Sequence, residues 1–317
     1  MIQIEAAATI AGALAANIKR VIVGNQHAVE QGLVALIAGG HLLIEDVPGV
    51  GKTTFAKSLA ISTGCIFKRI QFVPDLLPSD VMGVNVFNQR SGDFEFRPGP
   101  IMAQVVLADE INRAPPKTQA ALLEAMEEQQ ITVDGVTYPL PDPFMVIATL
   151  NPIEYQGTFS LPEAQLDRFM ARIHLGYASK EEELTIIARQ ERGHPIEELE
   201  AVASPEQVVL LRHAASEVQV EASVRDYIVS LVRTTREHPS VAYGASHRAS
   251  LALFRAARSL ALLRGREYVI PDDVKEMTSP VLAHRLVLTV EARARNIDGR
   301  RIIDELLRSL PVPGLPR

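Results

Sequence analysis

Lys52 and Thr53, near the end of the run EDVPGVGKTT, and the adjacent carboxylates Asp109 and Glu110, which end VVLADE, are residue types that suit phosphoryl chemistry. A lysine ammonium can reach the β- and γ-phosphates of a nucleotide, and a threonine hydroxyl and an aspartate are hard oxygen ligands for Mg²⁺. A second carboxylate beside that aspartate can polarise an attacking water. Pro48, Gly49, Val50, Gly51, Lys52, Thr53 and Thr54 would form a loop whose backbone N–H groups face the phosphates, its glycines letting the chain curl close around them. The strict phosphate-loop pattern has glycine where this chain has Asp46, so the first turn of the loop departs from it.

Such groups need rigid supports on both sides. Residues 42–44 are a short apolar run that reads as a buried strand, and the Ala-rich stretch after Lys52 reads as the helix leaving the loop. Apolar runs at 66–73, 104–108 and 143–150 predict further strands, with a short last one at 173–175. Asp109 and Glu110 follow the second of these runs. Pro115 and Pro116 then suit the start of a helix. Alternating stretches at 84–96, around Ser91 and Gly92, and at 130–138, around Asp134 and Gly135, predict two β-hairpins. Helical spacing marks the N-terminal stretch and a second segment ending at Gly39 and Gly40. The expected fold is therefore α/β, a parallel doubly wound sheet with two inserted hairpins and a ligand at the strand carboxyl ends. From residue 179 only helical patterns stand out, so the expected division is 1–178 for a nucleotide-binding core with its N-terminal helix and 179–317 for a smaller all-helical lid.

Composition limits the rest. The chain has 317 residues, 47% apolar and 22% charged, enough for two domains with a substantial core. A formal charge of −6 gives no overall attraction to nucleic acid or an anionic membrane. The single Cys65 cannot form an intramolecular disulfide, and no apolar run approaches the roughly 20 residues that span a bilayer. A cytoplasmic setting is expected. The eight histidines show no metal-ligand spacing, and no nucleophile elbow is present.

DEINRAPPKTQAALLEAMEEQQITVDG, with EDVPGVGKT before it and LPEAQLDRF after it, resembles the MoxR family of AAA+ ATPases, and the resemblance extends to GASHRA and the closing AHRL. That family's own loop shares the Asp46 departure. The resemblance implies a P-loop AAA+ core, ATP and Mg²⁺ as cofactors, and Thr53 and Asp109 as the residues near the metal. It assigns Asn151 as sensor 1, Arg168 as an arginine finger reaching a neighbouring subunit, and Arg248 as sensor 2, so that Lys52, Asp109, Glu110, Asn151, Arg168 and Arg248 form the catalytic set. Gln71 falls where related ATPases pair a polar residue with the catalytic glutamate, and Arg113 lies close enough to face a subunit boundary.

The resemblance further implies a homo-oligomeric ring, hexameric in form, acting as a chaperone-like motor on protein clients, in some cases with a von Willebrand factor A domain partner. The alternatives are a metal-chelatase-like motor subunit and a nucleic-acid-acting helicase-like ATPase. Against the latter, residues 128–143 contain no Lys or Arg, whereas gripping a phosphate backbone needs several.

Overall fold

The structure is a computed structural model that describes residues 4–152, 159–191 and 193–314. Helices α1 (Ile4–Lys19) and α2 (Gln26–Ile37) lead to β1 (Leu42–Glu45), the phosphate loop and α3 (Lys52–Ser62). Then follow β2 (Phe67–Gln71), α4 (Pro78–Met82), the hairpin β3 (Gly83–Asn88) and β4 (Asp93–Pro98), β5 (Val105–Asp109) and α5 (Pro116–Glu128). The second hairpin, β6 (Gln130–Val133) and β7 (Val136–Pro139), precedes β8 (Met145–Leu150), α6 (Glu163–Leu166) and β9 (Ala171–Ile173). The remainder comprises α7 (Lys180–Gln190), α8 (Pro205–Glu217), α9 (Ala222–Thr235), β10 (Val241–Tyr243), α10 (His247–Leu263), α11 (Pro271–Leu282), β11 (Val287–Leu288), α12 (Val290–Ala294) and α13 (Gly299–Ser309).

Five parallel strands stand in the order β2-β5-β8-β1-β9. Their side chains divide by the two-residue period of a strand. Leu42, Ile44, Val105, Leu107 and Ile147 face α1, α2 and α3, while Leu43, Val106, Ala108, Val146 and Ala148 face α5. The first of these layers continues without a break into the apolar faces of α8 to α11, so helices behind the sheet and helices of the C-terminal part share one core. All five carboxyl ends point to one edge, which is where a parallel sheet receives a ligand.

Both hairpins form where alternation and turn residues predict them, with Gly92 and Gly135 at positive φ. They pack on one another: Phe96 stacks on Tyr138 with ring centroids 4.0 Å apart, and Asn85 Nδ2 donates to Asp134 Oδ2 at 2.7 Å.

Two expectations need correcting. The last sheet strand is β9, two residues earlier than the 173–175 run, because the Leu175 and Gly176 amides donate to the Asp46 carboxylate instead of continuing a ladder. The C-terminal part is not purely helical either: β10 and β11 pair antiparallel. Strands of two and three residues are too short to leave a periodic signal.

Candidate active site

The phosphate loop joins the carboxyl end of β1 to α3. Gly49 and Gly51 have φ of +86° and +90°, a conformation costly for residues with a Cβ, and no side chain caps the first N–H groups of α3. These N–H groups are left to an anion. Lys52 Nζ donates to the Asp46 carbonyl at 2.5 Å. Burial lowers the Lys52 pKa, opposed by the charges of Asp109, Asp46 and Glu110. Asp46 itself is buried, with Oδ2 accepting from Leu175 N at 2.6 Å and Gly176 N at 2.8 Å. It ties the first residue of the loop to the segment leading into α7, something glycine could not do.

Asp109 ends β5, next to β8 in the sheet. Thr149 of β8 links the acidic pair: its hydroxyl donates to Asp109 Oδ1 at 2.6 Å and accepts the Glu110 amide at 2.8 Å. Asp109 Oδ2 accepts from Arg69 Nη2 at 2.6 Å and Nε at 3.1 Å. Glu110 adopts the left-handed conformation, φ 56°, a form uncommon for a residue with a side chain and concentrated at functional sites. Its Oε2 accepts from Gln71 Nε2 at 3.0 Å and from Arg113 Nη1 at 2.9 Å. Asn151 is buried immediately after β8, in the row of strand ends between β5 and β1. Lys52, Thr53, Asp109, Glu110 and Asn151 thus share the carboxyl edge of the sheet.

A cleft of about 780 Å³ opens beside the loop, lined by Gly49, Gly51 and Thr54 on one side and by Val21, Gly24 and Ile186 among others on the rest. Asn25 shapes its wall by capping α2 and by donating Nδ2 to the His174 and Leu175 carbonyls, each at 3.0 Å.

Arg168 and Arg248 do not line this cleft. Arg168 precedes β9, which runs parallel to β1 with Ala171 opposite Leu42, so it stands at the amino edge while the loop occupies the carboxyl edge. Arg168 Nη1 donates to the Leu123 carbonyl at 2.5 Å, and Nη2 lies 3.2 Å from Glu127 Oε2. The other oxygen of Glu127 is 3.0 Å from Arg248 Nη1. His41, at the amino end of β1, fixes the location of this end of α5: Nε2–H donates to the Met126 carbonyl at 3.1 Å and Nδ1 accepts the Val146 amide at 3.0 Å. The catalytic set expected from sequence therefore divides into an acid-and-loop group on one edge and an arginine pair, bridged by Glu127, on the other.

Comparison with known proteins fits this arrangement. Residues 41–171 match the family described as ATPase family associated with various cellular activities, and residues 233–306 match an AAA lid domain. The chain is 52% identical to the Bacillus subtilis protein YeaC, covering 94% of this chain and 93% of that one. It is 45% identical to the chaperone MoxR1 of Mycobacterium tuberculosis over 94% of this chain and 81% of that protein. The chain belongs to the MoxR family of AAA ATPases. A crystal structure from Cytophaga hutchinsonii superposes with a TM-score of 0.90 at 40% identity, covering 96% of each chain.

Within this MoxR-family fold, four features escaped sequence reasoning. Arg69 sits in a strand with no motif around it. Val21 to Gly24 reads as a mere lead-in to α2, although it walls the cleft. Glu127 is one of several acids along α5, and only the three-dimensional fold shows that it meets two arginines. The ion-pair partner of Arg168 is Glu127 rather than the adjacent Asp167, because Arg285 engages Asp167. Among the described residues no helix is long and apolar enough to cross a membrane.

Proposed function

We propose that this MoxR-family protein is a Mg²⁺-dependent ATP hydrolase that works as a ring of identical subunits, hexameric by family resemblance, and uses the cycle to remodel or assemble partner proteins. The observation that carries this reading is the placement of Arg168 and Arg248 on the sheet edge opposite the phosphate loop. An arginine finger there cannot serve its own nucleotide and would have to act on that of a neighbouring copy. A finger supplied by a neighbour contributes on the order of 10³ to 10⁵ in rate, so a lone subunit would turn over slowly.

ATP would lay its phosphates on Gly49 to Thr54 and its base in the cleft walled by Val21 and Ile186. The donor set suits Mg²⁺: Thr53 and Asp109 are hard oxygen ligands, and Asp109 already faces a cation, the Arg69 guanidinium. When bound, the ion would neutralise charge between the phosphates. Glu110, aimed by Thr149, Gln71 and Arg113, would accept the water proton as the water oxygen bonds to the γ-phosphorus and the bond from that phosphorus to the β–γ bridging oxygen breaks, releasing ADP. Asn151 holds that water, and Lys52 carries the charge left on the β-phosphate. Residues 1–178 do this chemistry and residues 179–317 cap it, with α7 closing over the cleft.

The paired hairpins favour protein clients. Phe87 and Phe94 are exposed on the first hairpin and Val136 on the second, and residues 128–143 lack any basic side chain. Exposed apolar side chains beside the turns suit polypeptide rather than a phosphate backbone. The chaperone name of the mycobacterial relative agrees, and a von Willebrand factor A domain protein is the partner class the family suggests.

Phosphate release with Mg·ATP tests the reading. Wild type turns over, Lys52→Ala loses nucleotide binding, and Glu110→Gln binds ATP but turns over about 10²- to 10⁴-fold more slowly. Tight ATP binding by the assembled wild type without turnover would replace the hydrolase with a nucleotide switch.

A further inference from the structure

The closing AHRL motif has no place in the chemistry above, yet its arginine is among the most completely bonded side chains of the fold. Arg285 is 4% exposed. A guanidinium has five N–H donors, and all five are used. Nε donates to Asp167 Oδ1 at 2.6 Å, Nη2 donates to the Asp167 carbonyl at 3.2 Å and to the Phe169 carbonyl at 2.8 Å, and Nη1 donates to the Met170 carbonyl at 3.2 Å and to the Val281 carbonyl. Four of the five therefore end on residues 167–170, the segment that carries Arg168. The two carbonyls held by Nη2 flank Arg168 on either side.

Neighbouring groups of the helical part hold the same segment. His284 Nε2–H donates to the Phe169 carbonyl at 3.1 Å, and the Ser246 hydroxyl donates to Asp167 Oδ2 at 3.4 Å. Arg248, two residues beyond Ser246 in the first turn of α10, shares Glu127 with Arg168. A core arginine that only neutralised Asp167 would need one or two donors on the carboxylate. Here four donors go to main-chain carbonyls, three of them in residues 167–170, which fixes backbone rather than charge.

We propose that Arg285 is a positioning residue: it clamps the 167–170 segment to the lid, so that the lid and the arginine finger of one subunit move as one piece and Arg168 reaches the neighbour's nucleotide in a set orientation. This inference rests on the reading of Arg168 as a finger acting on a neighbouring copy. It predicts that Arg285 serves the adjacent subunit's site and leaves its own nucleotide cleft untouched.

The test is activity in mixed assemblies. Arg285→Ala alone should lower kcat about 10²-fold, the scale of misplacing a catalytic group by about 1 Å, with KM for ATP unchanged. When Arg285→Ala is mixed in equal amounts with Glu110→Gln, which hydrolyses only slowly but keeps its finger, the mixed assemblies should recover about a quarter of the wild-type rate per total subunit, the share of all sites with one good base and one good finger. A core-building role would give no recovery. The control is Arg168→Ala mixed with Glu110→Gln, with assembly size measured throughout. Should the control fail to recover, the neighbour-finger reading falls, and this inference with it. Recovery in the control but not with Arg285→Ala overturns the clamp alone, as does loss of assembly in Arg285→Ala alone. Arg285→Lys keeps the charge but cannot reach four acceptors, so it should show a smaller kcat loss and the same recovery. If neither variant folds, Arg285 is a core-building residue and the proposal is overturned.

Discussion

Glu110 carries more constraint than a surface carboxylate needs. Its backbone is held left-handed by Thr149, and Gln71 and Arg113 both donate to Oε2. Oε2 is the atom that would meet the attacking water, so release from Gln71 should leave it free to do so. Gln71→Ala is expected to raise the basal ATPase about fivefold, the equivalent of about 1 kcal/mol for one hydrogen bond. An unchanged basal rate, or unchanged stimulation by a partner, would show that Gln71 does not restrain the base. At this scale the sequence was informative where chemistry fixes residue type and spacing together, as in GKTT and ADE. Arg69 was not legible, since its only signal is contact with Asp109 across two strands 40 residues apart. Asp46 was legible as a departure from the glycine pattern, but its reason, the Leu175 and Gly176 amides, exists only in the folded chain.

The elements that hold the site are pinned by a few polar and glycine contacts. His41 joins the amino ends of β1 and β8 to the end of α5, and burial depresses its pKa from 6.5 to about 4. The unfolded chain binds that proton more readily, so stability is intact above pH 6.5 and falls as pH drops from 6.5 towards 4. The depression corresponds to about 3 kcal/mol, and His41→Asn or His41→Gln should flatten this part of a denaturation curve measured against pH. A curve with the same slope in wild type and variant would remove His41 as the cause. At the base of the first hairpin, a Cβ on Gly99 would meet the Val81 carbonyl and the Gly83 amide, which are backbone and cannot yield. Gly99→Ala should cost about 1–3 kcal/mol in thermal or denaturant unfolding. A cost below the error of that measurement would mean the hairpin base adjusts freely. Both hairpins were readable from turn residues and alternation, because those signals are local. The order of the five strands and the pairing of β10 with β11 were not, because both depend on contacts between distant segments.

Across the whole molecule, the sheet separates two half-sites. The carboxyl edge holds the phosphate loop, Asp109, Glu110 and Asn151, and the amino edge holds Arg168 and Arg248 on Glu127. The MoxR resemblance named both arginines from short motifs, but only the strand register beside Arg168 and the shared Glu127 place them away from their own loop. The lid contributes to both edges, through α7 at the cleft and through Arg248 and Arg285 at the finger. On the proposed reading, closure of one subunit over its nucleotide would be linked to the finger it offers the next. The most direct test of this account is steady-state ATPase rate against protein concentration, for wild type and Arg168→Ala, with molecular size measured at each point. Specific activity should rise with assembly and fall about 10³-fold or more in the variant while nucleotide binding survives. A rate independent of concentration and unaffected by Arg168→Ala would mean that one subunit holds a complete site, contradicting the shared active site.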